Sequence, residues 1–474
     1  MRFSLTSTAV QPKHCDPLFL LRKLGLSRSY CALLESVDRQ GTNDYSFLAL
    51  GARDVITVEQ GAVRGSQYVP DGKVPDALSV FRETINSGDE GERLRMGYIG
   101  FLSYEAARQF EDIDLPTHPR VPDAVFVLPE VLLKINHVKH EITIISHKDS
   151  QEDLSRIEEV IHSSPFFDDT KGGTSSTELP LPTLDEIEPL RQMSRKDYCA
   201  AVEKIKEQIL AGEVFQVVLS QELVMENNVS ADRVYEELRS LNPSPYMYYY
   251  QTPERKIVGA SPETLIRIDG RNILYRPIAG TRKRTGNEQE DKRMQEELLH
   301  DEKERCEHQM LVDLGRNDVG RVAEIGSVQV RNPFHIEQYA HVFHIVSEVT
   351  GRIREGLTPL DAIRSVFPAG TLTGAPKVRA MEIIRDLERS PRGIYGGAFG
   401  YIDLAGNVDF AITIRTMLFQ DGKISLRVGA GIVKDSIPEH EDNECLHKVR
   451  SCLAAVKLAK AHPESHRRAS PQQS

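Results

Sequence analysis

The sequence predicts an α+β fold of antiparallel sheets covered by helices, and three observations carry that expectation. Hairpin turn pairs, Asp269-Gly270, Gly406-Asn407 and Asp421-Gly422, each separate two apolar, strand-like runs. Long stretches of helical periodicity interrupt these hairpins, the clearest being Tyr198, Ala201, Val202, Ile205 and Ile209 behind a Ser194/Asp197 capping pair. Strands and helices do not alternate regularly, as a doubly wound parallel sheet would require.

Residues 1–165 read as an N-terminal α+β region with a regulatory or structural part. Leu18 to Leu24 suits a short helix, and residues 30–36, 45–50, 55–58, 96–104, 124–128 and 141–145 suit strands. The paired Gly97 and Gly100 in the fourth of these imply close backbone approach. Residues 166–190 are rich in Ser, Thr, Gly, Pro and Asp without periodicity, as expected of a linker or exposed loop. Residues 191–460 restart with the capped helix, which Gly212 ends, followed by a strand through 214–220 and the hairpins named above. A further helix runs from Pro376 to Leu387, and residues 461–474 read as a disordered tail.

Composition narrows the function. The chain has 474 residues, 40% of them hydrophobic, so it can bury a large core. A net charge of −11 argues against nucleic acid as a partner, and no apolar run reaches the roughly 20 residues of a membrane span. The N-terminus lacks a secretory pattern, and six scattered cysteines without a CxxC pair suit reduced thiols in the cytoplasm.

Two acidic rows could carry chemistry. Asp301, Glu304 and Glu307 are spaced to stack on one face of a helix from Arg293 to about Leu314. Glu439, Glu441 and Glu444 precede a second helix containing Leu446, Val449, Leu453 and Val456. Each row alone could be a solvated face. Together, without a His or Cys cluster, they suit a shared Mg²⁺ completed by water and substrate. Two turns could receive an anion: residues 277–282, with Arg282 close by, and the glycine-rich 370–377, which opens a helix. The second has no Walker Gly-Lys-Thr and so fits a nucleotide loop poorly, and either could be a simple turn. His344 lies amid apolar residues as a core histidine would, and no GxSxG elbow or glutaminase-type cysteine is present.

Taken in order, residues 277–282, 301–318, 370–377 and 429–435 with Glu444 resemble the signatures of the chorismate-utilising enzymes, most closely the large subunits of anthranilate synthases. Residues 33–36 and 97–111 match more loosely. The resemblance implies Mg²⁺ bound by Glu307 and Glu444, and Glu304 as the acid that protonates the departing C4 hydroxyl of chorismate. It places His344 and Thr371 beside the ring. It assigns Gly280, Thr281, Tyr395, Arg415, Gly429, Ala430, Gly431 and Lys448 to the substrate's carboxylates and enolpyruvyl group. It gives no role to Asp301 and leaves His308 open. After Arg282 the family often continues Pro-Arg-Gly; here the chain reads Lys283-Arg284-Thr285-Gly286.

Sibling reactions are distinguished at two positions. Isochorismate and salicylate synthases carry a water-activating Lys where this chain has Gln216, and aminodeoxychorismate synthases carry a nucleophilic Lys where it has Ala279. Amination at C2 and loss of pyruvate to give anthranilate is therefore expected, with ammonia from a separate glutamine amidotransferase subunit in a hetero-oligomer such as a heterotetramer. The alternatives are an enzyme that stops at the aminated intermediate, 2-amino-2-deoxyisochorismate, or an aminodeoxychorismate synthase, and, last, a non-catalytic chorismate- or tryptophan-binding relative. The resemblance also implies feedback inhibition by tryptophan at Glu35, Ser36, Pro245, Tyr246 and Met247, which the absence of Trp from the chain suits.

Overall fold

The structure is a computed structural model that describes residues 4–461 apart from 13–14, 37–44, 70, 74–75, 82–95, 165–181 and 340–341. Most of the expected linker and nearly all of the tail lie outside the described residues; within the former, Leu184–Ile187 and Glu188–Leu190 form short helical turns.

Two large antiparallel sheets pack face to face. Along the first, the order includes Tyr45–Leu50, Cys31–Glu35, Tyr246–Gln251, Lys256–Ser261, Thr416–Gln420, Lys423–Ile432 and Gln216–Glu226. Along the second, it includes Ile278–Lys283, Val342–Arg352, Asn272–Tyr275, Thr264–Asp269, Val408–Ile412, Ala398–Asp403, Gly97–Leu102 and Ala124–Leu128. Strands from both sides of residues 166–190 therefore meet within each sheet. Cys31–Glu35 pairs with Tyr246–Gln251, and Gly97–Leu102 with Ala398–Asp403.

The run Tyr246–Gln251 shows how side-chain alternation builds the layers. Tyr248 and Tyr250 enter the core between the sheets, whereas Met247 and Tyr249 enter a second core beneath helices Arg195–Leu210, Ala231–Leu241 and Pro438–Ala461. Tyr248 stacks on Phe399 of the opposite sheet with centroids 4.2 Å apart, worth about 0.5–1.5 kcal/mol beyond burial. Helices Glu302–Gly320 and Pro359–Val366 add Val312, Val319, Leu360 and Ile363 to the inter-sheet core. The close approach expected at Gly100 is present: a Cβ there would lie 1.9 Å from the Val125 carbonyl oxygen.

Two helix boundaries differ from the sequence reading. The helix expected to run unbroken from Arg293 to Leu314 is two helices, Glu288–His300 and Glu302–Gly320. Asp301 sits between them with extended backbone, and its carboxylate accepts the Glu304 N–H at 3.1 Å. An Asp satisfies the otherwise unpaired amides of a new first turn, so capping outweighs continuous periodicity. Asp301 is thus a cap and not the first member of a helical row. Likewise Glu439, Glu441 and Glu444 do not precede the last helix but lie in its opening turns, where acidic residues suit the helix dipole.

Candidate active site

Gly280 shapes one wall. Strand Ile278–Lys283 pairs with Val342–Arg352 as Ala279↔Ile345 and Thr281↔His344, so Gly280 is the extra residue of a bulge. Its φ of +67° favours glycine, and a Cβ there would come within 3.0 Å of Leu298 and 3.2 Å of a Glu304 carboxylate oxygen. The bulge turns the Gly280 carbonyl onto His344, whose Nδ1 lies 2.8 Å away, with Thr281 Oγ1 at 3.2 Å. Because a carbonyl only accepts, Nδ1 carries the hydrogen and Nε2 keeps its lone pair. Burial is the main cause that lowers the His344 pKa to about 4, so the ring is neutral at physiological pH. His344 is therefore not a bland core histidine but a neutral imidazole at the bulge.

The acidic helix forms the next wall. Arg282 bonds to Asp301 at 2.7 Å, and to Glu304 and Glu297 at 3.2 Å each. Arg282 thus ties Glu304 to the Asp301 cap at the start of the helix. Glu307, one turn on, faces the second acidic row. Its carboxyl is raised above the usual range by burial and then by Glu304, Glu444 and Glu441, with Lys303 opposing. Glu441 is raised in the same way, by burial and Glu444. The rows do converge, close enough to repel. Among the described residues no three His, Cys, Asp or Glu side chains are poised to enclose a metal by themselves. The donors present, one carboxylate from each row, fit a Mg²⁺ whose shell is completed by water and ligand. Lys303 lies 3.8 Å from Glu307, and Lys448 lies 2.7 Å from Glu444 and donates to the Gly429 carbonyl at 3.0 Å.

Strand Lys423–Ile432 closes the site with Gly429, Ala430 and Gly431. A Cβ at Gly429 would meet the Tyr395 hydroxyl at 2.8 Å, and one at Gly431 would meet the Gln216 amide at 2.4 Å. These glycines let Tyr395 and Gln216 lie directly on the strand. Arg415 has a φ of +49°, unusual for a long side chain and held between two strands of different sheets. Among the described residues it makes no ion pair within 4.0 Å, so its guanidinium is free to take a carboxylate. Thr371, in the turn Gly370–Thr373, has a buried hydroxyl that acts on the Glu263 carboxyl as a hydrogen-bond partner. Lys377 at the end of the glycine-rich loop is not available to an anion: it is buried against Asp318 at 2.8 Å. His308 is also internal, bonding Ser347 at 2.7 Å and packing on Phe334, which gives it a structural role under the site. The Lys283–Gly286 segment ends in the Asn287 cap of helix Glu288–His300, with Asp291 accepting the Thr285 N–H at 2.7 Å.

One residue at the site escaped the sequence reading. Glu263 is buried between strands Lys256–Ser261 and Thr264–Asp269, and burial pushes its pKa up to about 7. Thr371, Lys448 and Arg415, all expected at the site, are the groups that act on it in the opposite sense. A lone carboxyl between two apolar strand runs was the available signal. Such a group is rarely buried without a task.

A second set converges elsewhere. Glu35, Ser36, Pro245, Tyr246 and Met247 all line one cavity, together with Tyr45, Phe47, Phe399, Tyr401 and Asp409. Glu35 accepts from Tyr235 at 2.5 Å and Arg239 at 2.9 Å. The Tyr246 hydroxyl donates to Asp409 at 2.8 Å and lies 2.9 Å from Thr264 Oγ1.

These features define a ligand-binding enzyme core with a separate aromatic cavity, and comparison with known proteins gives it a family. The chorismate binding enzyme family matches residues 30–454. Anthranilate synthase component 1 of Acetivibrio thermocellus is 40% identical over 463 residues, covering 94% of this chain and 93% of that protein. The protein of the same description from Thermus thermophilus is 40% identical over 460 residues, covering 94% and 96%. The crystal structure of anthranilate synthase component I from Streptococcus pneumoniae superposes with a TM-score of 0.73 at 34% identity, covering 87% of this chain and 92% of that one. The chain belongs to the chorismate-binding enzymes. No helix among the described residues is long and apolar enough to cross a membrane.

Proposed function

We propose that the chain is the ammonia-using component of an anthranilate synthase, converting chorismate and ammonia to anthranilate, pyruvate and water. The observation that carries this reading is the Gln216 amide lying on Gly431, with no lysine on its strand and alanine at position 279. Neither position offers a water-activating base or a lysine nucleophile, which leaves ammonia as the incoming group. Likeness to anthranilate synthase component 1 over most of the chain supports the same choice.

In this reading Arg415 and Lys448 take the substrate's carboxylates, and Gly429 and Gly431 let Tyr395 and Gln216 stand against the strand beside it. Glu263 is the proton donor to the departing C4 hydroxyl, replacing Glu304 in that role. Its carboxyl stays protonated up to about pH 7, whereas Glu304 is engaged by Arg282. The neutral His344, whose Nδ1 hydrogen is held by the Gly280 carbonyl, offers Nε2 as a proton acceptor. Mg²⁺ held by Glu307 and Glu444 would neutralise the ring carboxylate. Incubation of the chain with chorismate, Mg²⁺ and ammonium should yield anthranilate fluorescence. Another product from chorismate, or none, would reject the reading.

The component naming of the relatives supports a glutaminase partner chain as the ammonia source. The aromatic cavity suits tryptophan as an inhibitor: aromatic walls for the indole, and carboxylates at Glu35 and Asp409 for the ammonium. Asp409→Asn preserves the shape and removes one charge. It is expected to weaken tryptophan inhibition about tenfold, the scale of one charged hydrogen bond, with turnover within twofold of wild type. Unchanged inhibition in a steady-state titration would remove Asp409 from the ligand site.

A further inference from the structure

The site's ligand-facing parts come from segments far apart in the chain, and a single buried side chain joins three of them. The Arg392 side chain is 1% exposed. Its Nη1 donates to the Leu372 carbonyl at 2.6 Å, one residue beyond Thr371. Its Nη2 donates to the Val218 carbonyl at 2.8 Å, two residues along the strand from Gln216. Its guanidinium carbon lies 5.6 Å from the centre of the Tyr395 ring and 4.6 Å from that of Tyr104.

The guanidinium is itself fixed. Glu388 accepts from its Nε at 3.0 Å and its Nη2 at 2.6 Å, and also from the Ser220 N–H and hydroxyl at 2.8 Å each and from Arg427 at 3.0 Å. Burial would raise the Glu388 carboxyl, but the two arginines and Ser220 bring it below its usual range. The backbone at Arg392 is pinned from the other side. Glu105 accepts the Arg392 and Gly393 N–H groups at 2.6 and 3.0 Å. Five planar donors allow one residue to reach a carboxylate and two carbonyls at once; a lysine ammonium cannot reproduce that fork.

We propose that Arg392 is a positioning residue, holding the Thr371 turn, the Gln216 strand and the Tyr395 ring in one mutual geometry without touching the substrate. This deepens the proposed function and rests on its assignment of the site. Arg392→Lys in the full chain, assayed with chorismate, Mg²⁺ and ammonium, should lose about 10²-fold in kcat, as a misplacement of about 1 Å does, with KM within threefold. Arg392→Gly should regain part of the lost rate on addition of methylguanidinium. Glu388→Gln, which loosens the guanidinium and leaves its carbonyl contacts possible, should lose about tenfold in kcat and serves if Arg392→Lys does not fold. Hydrogen exchange gives a readout independent of turnover: residues 216–220 and 370–375 should exchange faster together in either variant. A folded variant with wild-type kcat, or with neither segment accelerated, overturns the proposal. The parallel wild-type assay separates this from the functional reading, since the wild-type product alone decides whether anthranilate is formed.

Discussion

Glu263→Gln is expected to lower chorismate turnover by about 10³-fold while leaving chorismate affinity within about tenfold, because an amide keeps the shape but cannot release a proton. The pH dependence follows from the same group. Burial places the Glu263 pKa at about 7, so the protonated form is lost as pH rises through that value, and kcat should fall on the alkaline side. The alkaline limb near pH 7 should be absent from the residual activity of Glu263→Gln. Stability has the same sign. The folded chain holds this proton where the unfolded chain, with an ordinary carboxyl, has released it, so the contribution is complete below the unfolded pKa and gone above about 7. Glu304→Gln in the same assay separates the two carboxyls: it loosens the Arg282 cluster and should cost no more than about tenfold. A Glu263→Gln enzyme with near-normal kcat, beside a dead Glu304→Gln enzyme, would return the acid role to Glu304.

Glu307→Gln should separate activity from stability in opposite directions. Its carboxyl is raised by burial and by Glu304, Glu444 and Glu441, so the folded chain bears the cost of crowding these charges. Neutralising Glu307 relieves it, and the melting temperature without metal should stay level or rise. Loss of a carboxylate donor should at the same time lower Mg²⁺-dependent turnover by about 10²-fold or more, comparable with removing one strong electrostatic contact at a reacting centre. Glu444→Gln should behave alike for turnover. Melting curves and kinetics at graded Mg²⁺ test both halves. A Glu307→Gln chain that melts lower and remains fully active would show that the two rows are a structural network and not a metal site.

Much of the fold was legible because local chemistry and tertiary context agree. Ser194 accepts the Asp197 N–H, Gly212 ends the helix, and each glycine-bearing turn joins the strands expected of it. The site residues were legible by resemblance, and the structure brings Gly280, Thr281 and His344 together at one bulge and Tyr395 and Lys448 onto the Gly429 strand. What escaped depended on contacts distant in sequence. Strand Val131–Asn136 carries no turn signal of its own and is fixed by pairing with Tyr45–Leu50 and Glu141–His147. Glu263 gains its character from burial by elements that a linear reading cannot place beside it. Asp301 was misread because its spacing fits a helical row, while its backbone bonds make it a cap.

The pairing of Cys31–Glu35 with Tyr246–Gln251, and of Gly97–Leu102 with Ala398–Asp403, sets the order in which the chain can mature during synthesis. Emerging from the ribosome, the first hundred residues present strand edges whose partners lie in the second half of the chain. Neither sheet can close until nearly the whole chain has been made. Such long loop closures fold slowly and leave apolar edges open meanwhile. Refolding should therefore be a single late event that forms the aromatic cavity and the catalytic walls together, and a chain truncated before residue 398 should aggregate instead of leaving a working N-terminal module.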